Sequence, residues 1–393
     1  MAFNCSSVPK QALHKIICYV ISLCMCCRFK TVVTKKFPKP THLGGFRNFD
    51  RLWELAQKHS QAFSFLFFFD TSKSLHSSTA FTMTNNCSFE FVDELMKHLE
   101  LAIYVPIFLL GLASNVGALI VFCCILPKWT ETTIYMTSLA LVDLVLLFPL
   151  PFKMHAANNL WSAHRQTLCS VLEALYFFGI YGSIYTIMSI AVDRWLAICH
   201  PYKAKERRSR RKALGICVGV WALVLVVIST TISSFRQAGR TEIHCFHRFS
   251  AQGWRPVIII CLQVFGFLVP SLVVVYCSVK TIWALQLSGQ RSSQSIAYIK
   301  YIYSSLCSFL LPLAPSHLAI LLQFLVHQGV IVDCSSKTRI SLFLQLSLCL
   351  SNVTCCLDAL CYYFITLEVR STKRASRLST ISHRRPTFST SEV

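Results

Sequence analysis

The sequence predicts an all-α membrane protein: a seven-transmembrane helix bundle with an extracellular N-terminus and a cytoplasmic C-terminus. Three observations carry this. Of 393 residues, 54% are hydrophobic and only 14% are charged, against about a quarter charged in a soluble domain. Seven apolar stretches reach the roughly 20 residues needed to cross a hydrocarbon core of about 30 Å. The basic residues collect in loops on one side of those stretches, which orients the chain.

The stretches run approximately Leu99–Ile125, Ile134–Met154, Leu168–Ile198, Ala213–Ser233, Pro256–Ile282, Ile296–Val326 and Thr338–Ile365. Short linkers favour one bundle over two membrane domains. The loop after the third stretch holds Lys203, Lys205, Arg207, Arg208, Arg210, Arg211 and Lys212, and the tail adds Arg370, Lys373, Arg374, Arg377, Arg384 and Arg385. Both are assigned to the cytoplasm, so residues 83–98 form the extracellular N-terminus, 99–365 the bundle and 366–393 the cytoplasmic tail. Asn86-Cys87-Ser88 is a glycosylation sequon on the outer side. Asn352-Val353-Thr354 also matches but lies inside a span, out of reach of modification. The formal net charge of +21 does not point to nucleic acid, because the basic residues alternate with apolar runs instead of forming a basic domain.

Of the 20 cysteines, most fall within apolar runs and act as small buried side chains. Cys87, Cys169, Cys245 and Cys334 fall in loops or at span ends on the oxidising side, where bridges form.

Polar groups within a span are costly and default to functional hypotheses. Here they are ordered, one motif to a helix. Asn115 closes Gly111-Leu-Ala-Ser-Asn115, and Asp143 closes Leu139-Ala-Leu-Val-Asp143. Asp193-Arg194-Trp195 ends the third span, Trp221 lies in the fourth, Pro270 in the fifth and Pro315 in the sixth. Asp358-Ala-Leu-Cys-Tyr362 ends the seventh. This series, from about Met83 to Arg377, resembles the rhodopsin-like G-protein-coupled receptor family.

The resemblance implies bridges Cys169–Cys245, pinning a loop across the ligand entrance, and Cys87–Cys334. It implies a switch in which Asp193 holds Arg194 at rest and outward movement of the sixth helix frees it for a G protein, with Tyr362 part of the same machinery. The plain reading of Arg194 is a snorkelling helix anchor. Family members bind sodium at positions matching Asn115, Asp143, Ser183 and Asp358; an ion-free hydrogen-bonded carboxylate pair is the alternative.

Lys153, in Pro149-Leu-Pro151-Phe152-Lys153-Met154, stands ten residues from Asp143, about 15 Å along a helix. A lysine there is either a snorkelling anchor or a counter-ion for an acidic ligand. Glu173, Tyr176, Phe246, His247 and His317 are the other candidate lining residues. Arg236, Arg240, Arg248 and Arg255 face one acid, Glu242, in the loop between spans four and five. A basic mouth over an apolar interior suits a phosphate head on an acyl chain. No aspartate stands at or one turn above Tyr176, which argues against amine ligands.

Val92-Asp-Glu-Leu-Met-Lys97, Thr133-Ile-Tyr-Met136, Leu150-Pro-Phe-Lys-Met154, Phe265-Gly-Phe-Leu268, Leu322-Gln-Phe-Leu-Val326 and Cys355-Cys-Leu-Asp358 resemble the cannabinoid-related, lysophosphatidylinositol-sensing branch of that family. This implies an acidic lysophospholipid agonist recognised through Lys153 with Glu173 as its neighbour, coupling to G12/13 and Gq towards Rho and calcium, and a plasma-membrane address. Serines and threonines of the tail, such as Ser371, Ser376 and Ser379, offer phosphorylation sites for arrestin recruitment.

The sequence also departs from the pattern. Trp195 stands where tyrosine is commoner, Ser278 where the family has a tyrosine, and Thr354 where asparagine is common. Tyr303-Ser-Ser-Leu-Cys-Ser-Phe-Leu-Leu-Pro312-Leu-Ala-Pro315-Ser-His317 is about three residues short against its relatives and carries the extra Pro312. Three residues rotate a helix by about 300°, so the two halves of the sixth span are expected out of phase, and a lipid-binding receptor with impaired signalling is the alternative reading. Residues 1–82 have no family counterpart, carry Lys or Arg at eleven positions and acids at three, and are expected to be an extension ahead of a natural start at Met83. A transporter is the rival from another class; the chain has neither an internal repeat nor paired broken helices. No metal pair, nucleophile elbow or phosphate loop suggests an enzyme.

Overall fold

The computed structural model describes residues 89–126, 129–159, 161–234, 242–243, 245–246, 251–287, 293–358 and 362. Seven helical segments in it are long and apolar enough to span a membrane: Glu90–Cys124, Glu131–Ala157, Gln166–Cys199, Arg210–Ile232, Pro256–Leu287, Tyr298–His327 and Cys334–Leu357. They correspond one to one with the expected stretches.

The first helix begins at Glu90, nine residues before the expected span. Val92, Met96, Leu99, Ile103 and Ile107 are buried on one face, so a stripe at helical spacing carries the helix through a polar first turn. The second span pauses at Phe148 and Pro149 and resumes as Leu150–Asn158. Pro149 and Pro151 lack the N–H groups a continuous helix needs, and the restart aims Lys153 inward.

Pro270 shapes the fifth span. A proline ring crowds the carbonyl four residues earlier, here that of Gly266, and the chain widens into a π-turn at Val264–Leu268. The Tyr185 hydroxyl donates to the displaced Phe265 carbonyl at 2.8 Å. A Cβ on Gly266 would lie 2.9 Å from the Tyr181 ring, so glycine permits this approach to the third span.

The sixth span corrects an expectation. Ser293–His327 is a single helix through both Pro312 and Pro315. Tyr301, Ile302, Ser308, Phe309, Leu313, Ser316 and His317 are buried along it. These recur at the spacing of one helical face, so the two halves are in phase and share one inward stripe. Expectations placed on residues 1–88 and on the tail from residue 363 lie outside the described residues, including the leader, the glycosylation site Asn86 and the arrestin sites.

Candidate functional site

At one end of the bundle a two-stranded ribbon pairs Trp161–Ser162 with Glu242–Ile243, joining the loop after the second span to the loop after the fourth. The Cys169–Cys245 disulfide ties the latter to the top of the third span, as the resemblance implied. Cys334 is disulfide-bonded too; its expected partner Cys87 lies outside the described residues.

The disulfide carries Phe246 into the bundle. Its backbone is left-handed, with φ of 64°, a conformation that costs a non-glycine residue. Glu173, one turn below Cys169, holds it: a carboxylate oxygen accepts the Phe246 N–H at 2.9 Å. Glu173 therefore shapes the lid of the site.

Beneath lies a cavity of about 780 Å³, bordered by Lys153, Glu173, Tyr176, Phe246 and His317, with apolar walls such as Val224, Ile228 and Phe265. Lys153 is only 6% exposed: it points into the bundle and does not snorkel. Its Nζ donates to the Tyr176 hydroxyl at 3.4 Å and lies 4.4, 5.3 and 5.9 Å from the ring centroids of Tyr176, Tyr104 and Phe246. Ring faces carry negative potential and stabilise a desolvated cation. Asn352 also donates to the Tyr176 hydroxyl, at 3.1 Å. Asn352, seen in the sequence only as a sequon, is thus a buried member of this site.

His317 packs its ring on Phe267 at 4.5 Å and its Nδ1 meets the Leu313 carbonyl at 2.9 Å, next to the sixth-span prolines. The remaining lining candidate, His247, lies outside the described residues, as do Arg236, Arg240 and Arg248.

Deeper in the bundle, Ser183 donates to one oxygen of Asp143 at 2.7 Å. Asp143 and Asp358 are buried and electrostatically linked, and the second oxygen of each lacks a hydrogen-bond partner. Two buried carboxylates and a hydroxyl make an oxygen set that suits a hard cation. Asn115 lies beside this centre, donating to the carbonyls of Gly111 and Cys355, both at 3.0 Å. Its own oxygen accepts the Tyr362 hydroxyl, and the Tyr362 ring meets Phe122 edge-on.

At the far end, Asp193 has a partner that the sequence reading did not single out. Both carboxylate oxygens are taken by Arg208, at 2.8 and 3.0 Å, a bidentate pair stronger than a single contact. Arg208 entered the sequence reading only as one of many loop charges; planar bidentate geometry cannot be read from a charge count. Arg194 is buried beside it at 9% exposure. Trp221, the marker of the fourth span, donates to Ser138 of the second at 3.1 Å.

A helical bundle with a lidded apolar cavity at one end and a buried arginine at the other has the layout of a membrane receptor. The family described as the seven-transmembrane receptors of the rhodopsin family matches residues 114–377, and the chain belongs to it. G-protein coupled receptor 55 of Homo sapiens is 42% identical over 308 residues, covering 76% of this chain and 94% of that protein. Its Mus musculus counterpart is 40% identical over 313 residues, with the same coverage of 76% and 94%. Lysophosphatidic acid receptor 4 of Mus musculus is 33% identical over 295 residues, covering 73% and 79%. The chain is thus a multi-pass plasma-membrane receptor of the lipid-receptor branch, in a family of receptors and not of enzymes.

Proposed function

We propose that this receptor responds to an acidic lysophospholipid, with lysophosphatidylinositol as its agonist, and signals through G12/13 and Gq to Rho and calcium. The observation that carries the reading is Lys153: a buried ammonium at the edge of a cavity whose other walls are mostly apolar. A phosphate pairs with the ammonium, and the acyl chain takes the walls of spans three to five. The Tyr176 hydroxyl and the Phe246 ring orient the head, Glu173 keeps the lid in place, and His317 reports occupancy to the sixth span. Relatives named for lysophosphatidic acid support the ligand class. The lysophosphatidylinositol headgroup and the two G-protein classes rest on the resemblance of the local motifs.

Asn115, Asp143, Ser183 and Asp358 hold a sodium ion in the resting state, which the two unsatisfied carboxylate oxygens support. Asp193, Arg194 and Tyr362 form the switch that a G protein reads, and the phosphorylated tail takes arrestin.

The test is G-protein activation by lysophosphatidylinositol in cells bearing the receptor, beside Lys153→Ala at equal surface level. The expected result is a saturable response that the alanine lowers at least tenfold in potency, the order of one lost charge-assisted contact. A response that survives Lys153→Ala unchanged refutes the lysine's role; a silent parent refutes the ligand.

A further inference from the structure

A second cavity, of about 250 Å³, lies at the opposite end of the bundle from the lidded one. Its walls come from the second span at Glu131 and Tyr135, the third at Met188 and Asp193, and the fourth at Lys212 and Ile216. Arg207, Arg208 and Ser209, from the loop between the third and fourth spans, border it as well.

Its charge is positive. Arg207, Arg208 and Lys212 border it against two carboxylates, Glu131 and Asp193. Arg208 and Asp193 bind each other. Glu131 stands in the first turn of the second-span helix, where the amide dipoles already oppose its charge. Arg207 and Lys212 are exposed and make no ion pair with a described residue. The helix Arg210–Ser234 starts at this cavity. Its Lys212 N–H donates to the Ser209 hydroxyl at 3.3 Å, and the other N–H groups of a first turn have no acceptor within their own helix.

A buried hydroxyl also faces the space. Tyr135 borders the cavity and is 5% exposed, yet its oxygen makes no hydrogen bond among the described residues. That oxygen is not sealed in the protein interior, so it opens into the cavity, where it can donate to an anion.

The mouth is apolar. Val192 and Ile216 border the cavity and are 36% and 46% exposed. Leu214 and Val218, beside them on the fourth span, are exposed too. The opening therefore meets the hydrocarbon-facing surface of the bundle. A positive interior behind an apolar mouth matches a phosphate head joined to acyl chains. The basic loops assign this end to the cytoplasm, whose leaflet is rich in anionic lipid.

We propose that this cavity binds the headgroup of an anionic phospholipid of the cytoplasmic leaflet. Arg207, Lys212 and the Tyr135 hydroxyl hold the phosphate, and the acyl chains lie along Val192 and Ile216. The site is separate from the agonist cavity and does not depend on what that cavity binds. Its occupant stands beside the contact that ties Asp193 to the loop.

The experiment measures lipid binding to the purified full chain in detergent by native mass spectrometry. The probes are phosphatidic acid, phosphatidylcholine of the same acyl chains, and glycerol phosphate as a head without a tail. The parent is expected to prefer phosphatidic acid to phosphatidylcholine at least tenfold. Arg207→Gln with Lys212→Gln is expected to weaken phosphatidic acid about thirtyfold, the joint effect of two basic residues at a membrane surface. Lys203→Gln with Lys205→Gln removes the same charge from exposed positions that do not border the cavity, and should change the affinity less than twofold. Tyr135→Phe, which alters no charge, should weaken it severalfold. The agonist cavity is the same in every variant, so the differences between them read the lower site alone.

Equal losses in the two double variants would reduce the effect to general attraction by a basic loop and overturn the proposal. A parent without preference for phosphatidic acid overturns it too. Glycerol phosphate that displaces the lipid at matched concentration would make the ligand a soluble anion and overturn the assignment to the membrane.

Discussion

Arg208 holds Asp193 by both carboxylate oxygens, at 2.8 and 3.0 Å, tying the loop before the fourth span to the end of the third. Asp193 thereby carries a loop arginine beside the sequence neighbour, Arg194, that the proposed switch assigns to it. Neutralising the acid removes the loop contact together with that proposed pairing, so Asp193→Asn is expected to raise ligand-independent G-protein activation several-fold. Arg208→Ala leaves the whole carboxylate to Arg194 and is expected to lower basal activation. Nucleotide exchange on a reconstituted G protein, without agonist, measures both. An increase in both variants would make Arg208 an anchor of the resting state.

The polar centre makes a prediction about sodium. A cation held by Asp143, Ser183 and Asp358 stabilises the state that binds it by mass action, about 1 kcal/mol at roughly five times its dissociation constant. Replacing sodium by choline should therefore lower the melting temperature of the purified receptor by about 2–4 °C. Asp143→Asn should erase that difference. A parent whose melting point ignores sodium would leave the site an ion-free carboxylate pair.

The Cys169–Cys245 bridge closes a loop of 76 residues, and the chain-entropy account gives such a cross-link about 4 kcal/mol. Cys245→Ser should destabilise the receptor by an amount of that order. It should also abolish lipid binding, because Phe246 would no longer be presented to Lys153. Ligand binding at a temperature well below the melting point separates the two effects.

Asp333 caps the seventh span, accepting from the Ser336 backbone N–H at 2.8 Å and its hydroxyl at 2.7 Å. The Ser336 hydroxyl, followed by its backbone N–H, holds this carboxyl below its usual range. A depressed folded pKa means that the cap's contribution is complete above the unfolded value of about 3.9 and is lost as pH falls through the lower folded value. Amide exchange at Ser336 should therefore be flat from pH 8 to 5, after correction for intrinsic rates, and should accelerate only in stronger acid. Ser336→Ala should shift that onset upward.

The bundle was legible because membrane spans announce themselves twice, as apolar length and as isolated polar residues in order. Ser183 meets Asp143 and Tyr362 meets Asn115 because each is a costly intrusion into hydrocarbon that mutual contact offsets. Arg208 and Asn352 were named for other reasons, since loop geometry and interhelical contact have no local periodicity. The phase error expected in the sixth span came from counting residues against relatives, whereas burial recurs smoothly through Pro312.

Gly179 faces Leu146 so closely that a Cβ would lie 2.5 Å from the leucine Cβ and 2.6 Å from its backbone Cα. Seven residues along the second span from Leu146 is Lys153, and three residues back along the third from Gly179 is Tyr176. The crossing of these helices thus acts as the pivot of a caliper whose jaws are the ammonium and the phenol. A methyl added at Gly179 would pry the jaws apart without touching either tip. Ligand preference in this protein is therefore adjustable from below the pocket, by a change that no inventory of contact residues would contain.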